Sequence, residues 1–325
     1  MKALRFVLVG PGALGVSLSA AWIRAGHRCI GVYGRRPARA ARARALLGVR
    51  ALQGNREKLP GRFDFMLLAV PDDAVAGAAR RWATRGAWRN RFAFHTSGAL
   101  AATLLEPIRR KGASVASLHP LTSVPAPRET VSFFEGTAFG IEGDPGACAL
   151  AERLVRGVGG EPFRIPAGAK PLYHAGACLA SGYLLALVAL ASEPLERMGN
   201  LSAAEAREAL LGLSIATLHN ARELGFERAL TGPVMRGDVD TLRRHLTALG
   251  RRSPSVKRVY TVLAAKMLEM ALKGGRIKRR TARDLMTLFQ GRSRGKMRNL
   301  EPAGGKRLRM PGVVAVKPPS KCKTR

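Results

Sequence analysis

A chain of 325 residues is long enough for two domains, and its 46% hydrophobic and 24% charged residues exclude a wholly disordered, collagen-like or mucin-like protein. The formal net charge of +33 would suit a polyanionic partner, yet 17 of the 55 Lys and Arg fall in residues 271–325 against two acids, Asp284 and Glu301, and the rest are scattered. Scattered charge serves solubility more often than recognition, so no specific nucleic-acid partner is expected.

The opening residues read strand, glycine loop, helix, strand. Arg5 to Val9 is a short apolar run, Gly10-Pro11-Gly12-Ala13-Leu14-Gly15 follows at once, and Val16 to Ala25 has helical spacing until Gly26. Glycines interrupt the apolar start, so no signal peptide is expected. Cys29 to Tyr33 gives the second strand, and RRPARAARARA (35–45) reads as arginine-rich surface. Phe65–Val70, Arg91–Phe94 and Ser114–Leu118 are further strands, with a helical segment over Ala99–Lys111. Strands alternating with helices predict an α/β fold, a doubly wound parallel sheet of Rossmann type over residues 1–166.

From residue 167 the pattern is helical, and an all-helical domain for substrate or dimerisation is expected over 167–272. Its first segment, Pro171–Met198, holds no Asp, Glu, Lys or Arg from Pro171 to Ser192. That length would span a bilayer, but Tyr173, His174, Ser181 and the small residues in the run favour a buried central helix at a homodimer interface, with no membrane partner. Ser202-Ala203-Ala204-Glu205 is a capping box for a helix ending before Gly225. Leu230–Asp238 is a loop, a helix follows with Leu242, His245, Leu246 and Leu249 on one face, and another covers Ser255–Leu272. Residues 273–325 are expected to be a basic, flexible and dispensable tail with one short helix at Thr281–Gln290. The four cysteines, Cys29, Cys148, Cys178 and Cys322, lie far apart without Cys/His clustering. Neither disulfides nor a metal site is expected, and a reducing cytoplasm fits.

A glycine turn that leaves a strand and opens a helix suits a dinucleotide pyrophosphate. Gly10 permits the turn, Gly12 lets the phosphates approach the backbone and Gly15 lets helix and strand close up, with helix amides meeting the charge. The second strand ends Val32-Tyr33-Gly34-Arg35-Arg36, where an NAD site would place an acid; two guanidiniums suit a ribose 2′-phosphate, so NADP(H) is the expected cofactor. Ligands bind beyond the carboxyl ends of parallel strands. Val70-Pro71-Asp72-Asp73, His95-Thr96-Ser97-Gly98 and His119-Pro120 all fall there. Ser97 and His119 could bind or protonate a carbonyl oxygen, whereas Asp72 and Asp73 suit helix capping. His27, His219 and His245 read as structural.

The segments HTSGAL (95–100), SLHPL (117–121), KPLYHAGACLASGYLLAL (170–187) and LTGPVMRGD (230–238) resemble a bacterial family of Rossmann-like proteins with a C-terminal helical domain of unknown function, often labelled NADP oxidoreductases. It lies within the 6-phosphogluconate and hydroxyisobutyrate dehydrogenase-like superfamily. That family usually has Asn where this chain has Gly182. A more distant likeness, to prephenate dehydrogenases, implies a catalytic role for His119. The superfamily places a lysine and, four residues on, an asparagine against the nicotinamide; Lys170 and His174 have that spacing. The resemblance thus implies hydride transfer between NADP(H) and a small carbonyl or imine substrate in an interdomain cleft. Lys170 would donate a proton, with His119, Ser97 and His174 about it. Thr231, Arg236 and Asp238 match the family and are candidates for binding a substrate anion or for a structural turn. A non-catalytic NADP-binding regulator is the alternative from another class.

Overall fold

Alternate residues of the first strand, β1 (Arg5–Val9), part to opposite sides: Phe6 and Leu8 join one core, Val7 and Val9 the other. The computed structural model describes residues 2–49, 58–127 and 133–291. The same division recurs in β3, where Phe65 and Leu67 separate from Met66 and Leu68. A strand buried on both faces reads as a continuous apolar run, as these do.

The seven strands lie in the order β2-β1-β3-β4-β5-β6-β7, with β2 at Arg28–Tyr33, β3 at Phe65–Leu68, β4 at Phe92–His95, β5 at Ser114–Pro120, β6 at Ala138–Gly143 and β7 at Glu161–Arg164. Helices α1 (Ala13–Arg24) and α2 (Pro37–Leu46) cover one face. On the other lie α3 (Asp72–Ala83), a 3-10 turn at Ala102–Leu105 and α4 (Glu106–Arg109), while α5 (Pro145–Arg156) returns to the first. Trp22 of α1 meets Phe6 and Phe65 edge-on at 5.6 and 5.3 Å, fixing that helix over the sheet centre.

The doubly wound Rossmann sheet is present, with one departure from the parallel expectation. Strand β6 runs antiparallel to β5, pairing Gly140 with His119, and β7 then lies parallel to β6. Neither strand stands out in the sequence: β6 is bracketed by small residues, and Pro162 in β7 is tolerated because that strand is a sheet edge. The helix expected over 99–111 shrinks to the 3-10 turn and α4, since Pro107 fits only a helix's first turn.

The chain divides into two compact units, Met1–Leu187 and Val188–Arg325. The first therefore runs past residue 166 and includes α6 (Lys170–Ala180). After Ser181 interrupts the helical backbone, α7 (Gly182–Glu196) follows. Residues 170–196 are long and apolar enough to cross a membrane by length and composition, with a mean hydropathy of 1.8 over the most apolar 18-residue window. The burial expected of this segment is not found within the chain: Leu172, Leu179, Tyr183 and Leu185 are 62–80% exposed.

In the second unit, Ser202 and Glu205 form the capping box of α8 (Ala203–Leu224). The short helices α9 (Phe226–Ala229) and α10 (Pro233–Arg236) lead to α11 (Val239–Arg252), α12 (Pro254–Lys273) and α13 (Arg279–Phe289). Here the first part of the stretch expected to be a flexible tail is packed against the rest of the unit. Ile277, Ala282, Leu285 and Phe289 are buried in one cluster with Leu242, Leu246 and Leu268, and Arg276 donates to the carbonyls of Glu227 and Leu230. The spacing 282, 285, 289 forms a helical stripe that a high density of Lys and Arg obscures in the sequence. Residues 292–325, the rest of the expected tail, lie outside the described residues. Leu285 is fully buried, so Leu285→Ala should cost about 2–5 kcal/mol. A melting temperature within a degree of the parent would show that α13 is dispensable after all.

Candidate active site

The glycine turn is set by close approach. Gly10 has φ +88°, and a Cβ there would collide with the Ala69 carbonyl and come within 2.7 Å of Val70 Cγ1. At Gly15 a Cβ would lie 2.7 Å from Ala69 Cβ and 2.8 Å from the Gly10 oxygen. Only glycine lets α1 descend this closely onto β1 and β3. Gly12 differs, for a Cβ there would meet nothing within 4 Å. It is the N-cap of α1, no side chain caps that end, and the first turn has no acid. Open space before uncapped helix amides fits a pyrophosphate.

That space belongs to a cleft of about 1410 Å³ lined by Val9 to Gly15, Tyr33 to Arg36, Val70, Pro71 and Thr96 among others. All of Gly10, Pro11, Gly12, Ala13, Leu14, Gly15, Arg35, Arg36, Val70 and Pro71 are thus brought together. Arg39, Arg44 and Arg81 line it as well. These three were not singled out from the sequence, although Arg39 and Arg44 lie in the arginine-rich run 35–45. Among the described residues the cleft is lined by five guanidiniums, from the end of β2, α2 and α3, and by no carboxylate, a lining that fits an anionic phosphate.

Beyond Thr96 the strand ends carry a second cluster. Lys170 opens α6, is 1% exposed, and donates from Nζ to the Ser97 carbonyl oxygen at 2.7 Å. Burial pulls its pKa down to about 8, against the opposing pull of Glu142 and Asp72. Tyr173 and His174 follow at i+3 and i+4, on the same helix face. Tyr173 Oη lies 2.7 Å from His119 Nδ1 at the end of β5. The His119 and His174 rings stand edge to face, with centroids 5.8 Å apart. Cys178, one further turn along, approaches His174 Nε2 at 3.6 Å.

Two glycines make this convergence possible. A Cβ on Gly98 would collide with His174 Nδ1 and stand 2.9 Å from His119 Nε2; one on Gly140 would stand 2.8 Å from the Tyr173 hydroxyl. Burial, with Lys170 and His174 adding repulsion, lowers the His119 pKa to about 4. His95, fully buried on β4, falls to about 4 as well, through burial and then Lys170. At neutral pH His119 and His95 are therefore neutral imidazoles near an amine that loses its charge near pH 8.

The other candidates take different places. Ser97 Oγ accepts from the Leu100 amide, so its hydroxyl fastens the loop while its carbonyl holds Lys170. Asp72 and Asp73 occupy the first turn of α3 rather than its N-cap, which is Pro71. There they favour the helix dipole. In the second unit, Asp238 caps α11 by accepting from the Thr241 amide at 3.0 Å, and Thr231 and Arg236 are exposed. Tyr173 escaped the sequence reading as a site residue, although its place three residues after Lys170 puts it on the same face. No group of three metal-binding side chains occurs among the described residues.

A family model for Rossmann-like domains matches residues 2–120, and one for DUF2520, a domain of unknown function, matches residues 137–267. No curated relative matches the chain. Among solved structures, a Bacteroides fragilis protein provisionally assigned as an NADP oxidoreductase is 21% identical, covering 81% of this chain and 97% of its own at a TM-score of 0.64. The protein TM1727 of Thermotoga maritima is 23% identical, covering 83% and 99% at 0.65. An imine reductase of Streptomyces aurantiacus is 16% identical, covering 87% and 99% at 0.53. At such identities the likeness is one of fold.

His119 and His95 titrate lower in the fold than the ordinary value of 6.5. Between about pH 4 and 6.5 the unfolded chain then binds more protons, so their contribution to stability is present above 6.5 and lost as pH falls toward 4. His119→Gln should therefore lose less melting temperature than the parent between about pH 6.5 and about pH 4.5. An equal loss in both proteins would contradict the assignment.

Proposed function

We propose that this chain, which belongs to the Rossmann-like proteins carrying a DUF2520 domain, is an NADP(H)-dependent oxidoreductase acting on a small carbonyl or imine compound. The observation that carries the reading is continuity at adjacent residues: Thr96 lines the glycine-turn cleft, and the next carbonyl, Ser97, holds the buried Lys170. Binding and proton transfer are thus neighbours at the carboxyl ends of the strands.

When bound, NADP(H) would supply or accept the hydride. Gly10 to Gly15 would receive the pyrophosphate, and Arg35 and Arg36 the 2′-phosphate. Lys170, with its Nζ pKa near 8, can hold or release a proton at the substrate's reacting atom under ordinary conditions. His119 shares that site, and the cluster's burial limits water around it. A cytoplasmic setting belongs to the same proposal, supported by the free thiols of Cys29, Cys148 and Cys178. So does a homodimer, supported by the exposed apolar side chains of Leu172, Leu179, Tyr183 and Leu185. Light scattering should then give twice the chain mass of 34.8 kDa; a monomer at working concentration would remove that part.

Titration of nicotinamide fluorescence should show tighter binding of NADPH than NADH. Replacing Arg35 and Arg36 by Ala should weaken NADPH by roughly 10- to 100-fold, the loss of one or so charge-assisted hydrogen bonds, with little effect on NADH. Equal affinities in the parent would refute the cofactor assignment. With a substrate found by screening carbonyl and imine compounds, Lys170→Ala should keep NADPH affinity and lose turnover by roughly 10²-fold or more. Near-normal turnover would remove Lys170 from the chemistry, and full cofactor binding without turnover on any compound would favour a regulatory protein.

A further inference from the structure

Tyr173 has a single hydroxyl proton and two groups that could accept it, while the backbone bond from Gly140 can only be received by the phenol oxygen. Its Oη stands 2.7 Å from His119 Nδ1 and donates, at 3.3 Å, to the carbonyl oxygen of the same residue. Only one arrangement fills both contacts. The phenol gives its proton to the carbonyl, and Nδ1–H gives its own to the phenol oxygen. The opposite arrangement, with the phenol donating to Nδ1, leaves the carbonyl contact without a proton.

We infer that Tyr173 is a positioning residue that locks His119 in the Nδ1–H tautomer, leaving Nε2 as a bare hydrogen-bond acceptor for a substrate hydroxyl or N–H group. Three further observations support it. The imidazole is neutral at ordinary pH, so one ring nitrogen must carry a lone pair. The phenol is held in place by Gly140, directly opposite His119 in the β5–β6 pairing, where any side chain would strike the Tyr173 ring. Burial raises the phenol's pKa to about 12, which keeps its one proton in place to make the carbonyl bond. Among the described residues, Nε2 itself has no hydrogen-bonding partner, and it lies on the side of the ring next to Gly98.

The consequence for substrate class rests on the oxidoreductase reading. Lys170 beside this site is a donor whenever it is protonated, and His119 Nε2 is an acceptor. A group satisfying both at once must accept and donate, which an alcohol or a secondary amine does and a bare carbonyl does not. The cluster is thus matched to the reduced form of the substrate, the form that carries the hydroxyl or N–H proton.

The test is nitrogen NMR of the full chain with ring-labelled histidine at neutral pH, in which the protonated and bare ring nitrogens are resolved. There are six histidines, and loss of one signal pair in His119→Asn assigns His119. The parent should show His119 protonated at Nδ1 and bare at Nε2. In Tyr173→Phe, which keeps the ring over Gly140, the Nδ1–H loses its acceptor, and the signals should move toward the Nε2–H tautomer. An Nε2–H tautomer in the parent overturns the inference, as does an unchanged Nδ1–H in Tyr173→Phe. Should Tyr173→Phe fail to fold, the parent spectrum alone decides. NADPH titration of the same samples separates the two claims, because a failure to bind would count against the oxidoreductase reading and leave the tautomer result standing.

Discussion

The candidate site depends on a lysine taken out of water. Lys170 Nζ is held by the Ser97 carbonyl at the end of β4, and with 1% of the residue exposed it gives up most of its hydration. That desolvation costs free energy that a single hydrogen bond to a neutral carbonyl does not return, which is why its pKa falls. In exchange, the bond fixes the rotation of α6. Once Lys170 points at the sheet, Tyr173 and His174 must follow it and Leu172 and Leu179 must face away. The polar cluster and the exposed apolar face are two results of one constraint.

The glycine-turn cleft and the cluster beyond Thr96 treat charge in opposite ways. Around the glycine turn the arginines stay solvated and permanently charged, suited to a phosphate that is itself never neutral. At the strand ends burial suppresses charge: His119 and His95 are neutral and the amine is near its own titration point. A group that must exchange a proton works best there, since a side chain far from its pKa neither gives nor takes one readily. Glycines 98 and 140 carry as much of this design as the ionisable groups, because each leaves the space through which a ring reaches its partner.

Much of this was legible in the sequence. Apolar runs buried on both faces announce themselves, so β1, β3 and the glycine turn were readable nearly to the residue, as was the capping box of α8. The capacity of Lys170 and His119 to meet was readable only through topology and resemblance, since they lie fifty residues apart. What stayed hidden has physical reasons. Strand β6 carries Gly140 and Gly143, and strand β7 carries Pro162. Helix α13 conceals three buried side chains, Ala282, Leu285 and Phe289, among arginines. Tyr173 counted only as one of the residues that argue against a bilayer span, because the strand end its hydroxyl meets is not revealed by the helix's own pattern.

A crystal structure of the protein with NADP⁺ would test the central claim most directly. The account predicts the pyrophosphate against Gly12, the 2′-phosphate between Arg35 and Arg36, and the nicotinamide ring beside Lys170 and His119. A dinucleotide bound elsewhere, or one in this cleft with its nicotinamide turned away from both side chains, would contradict it.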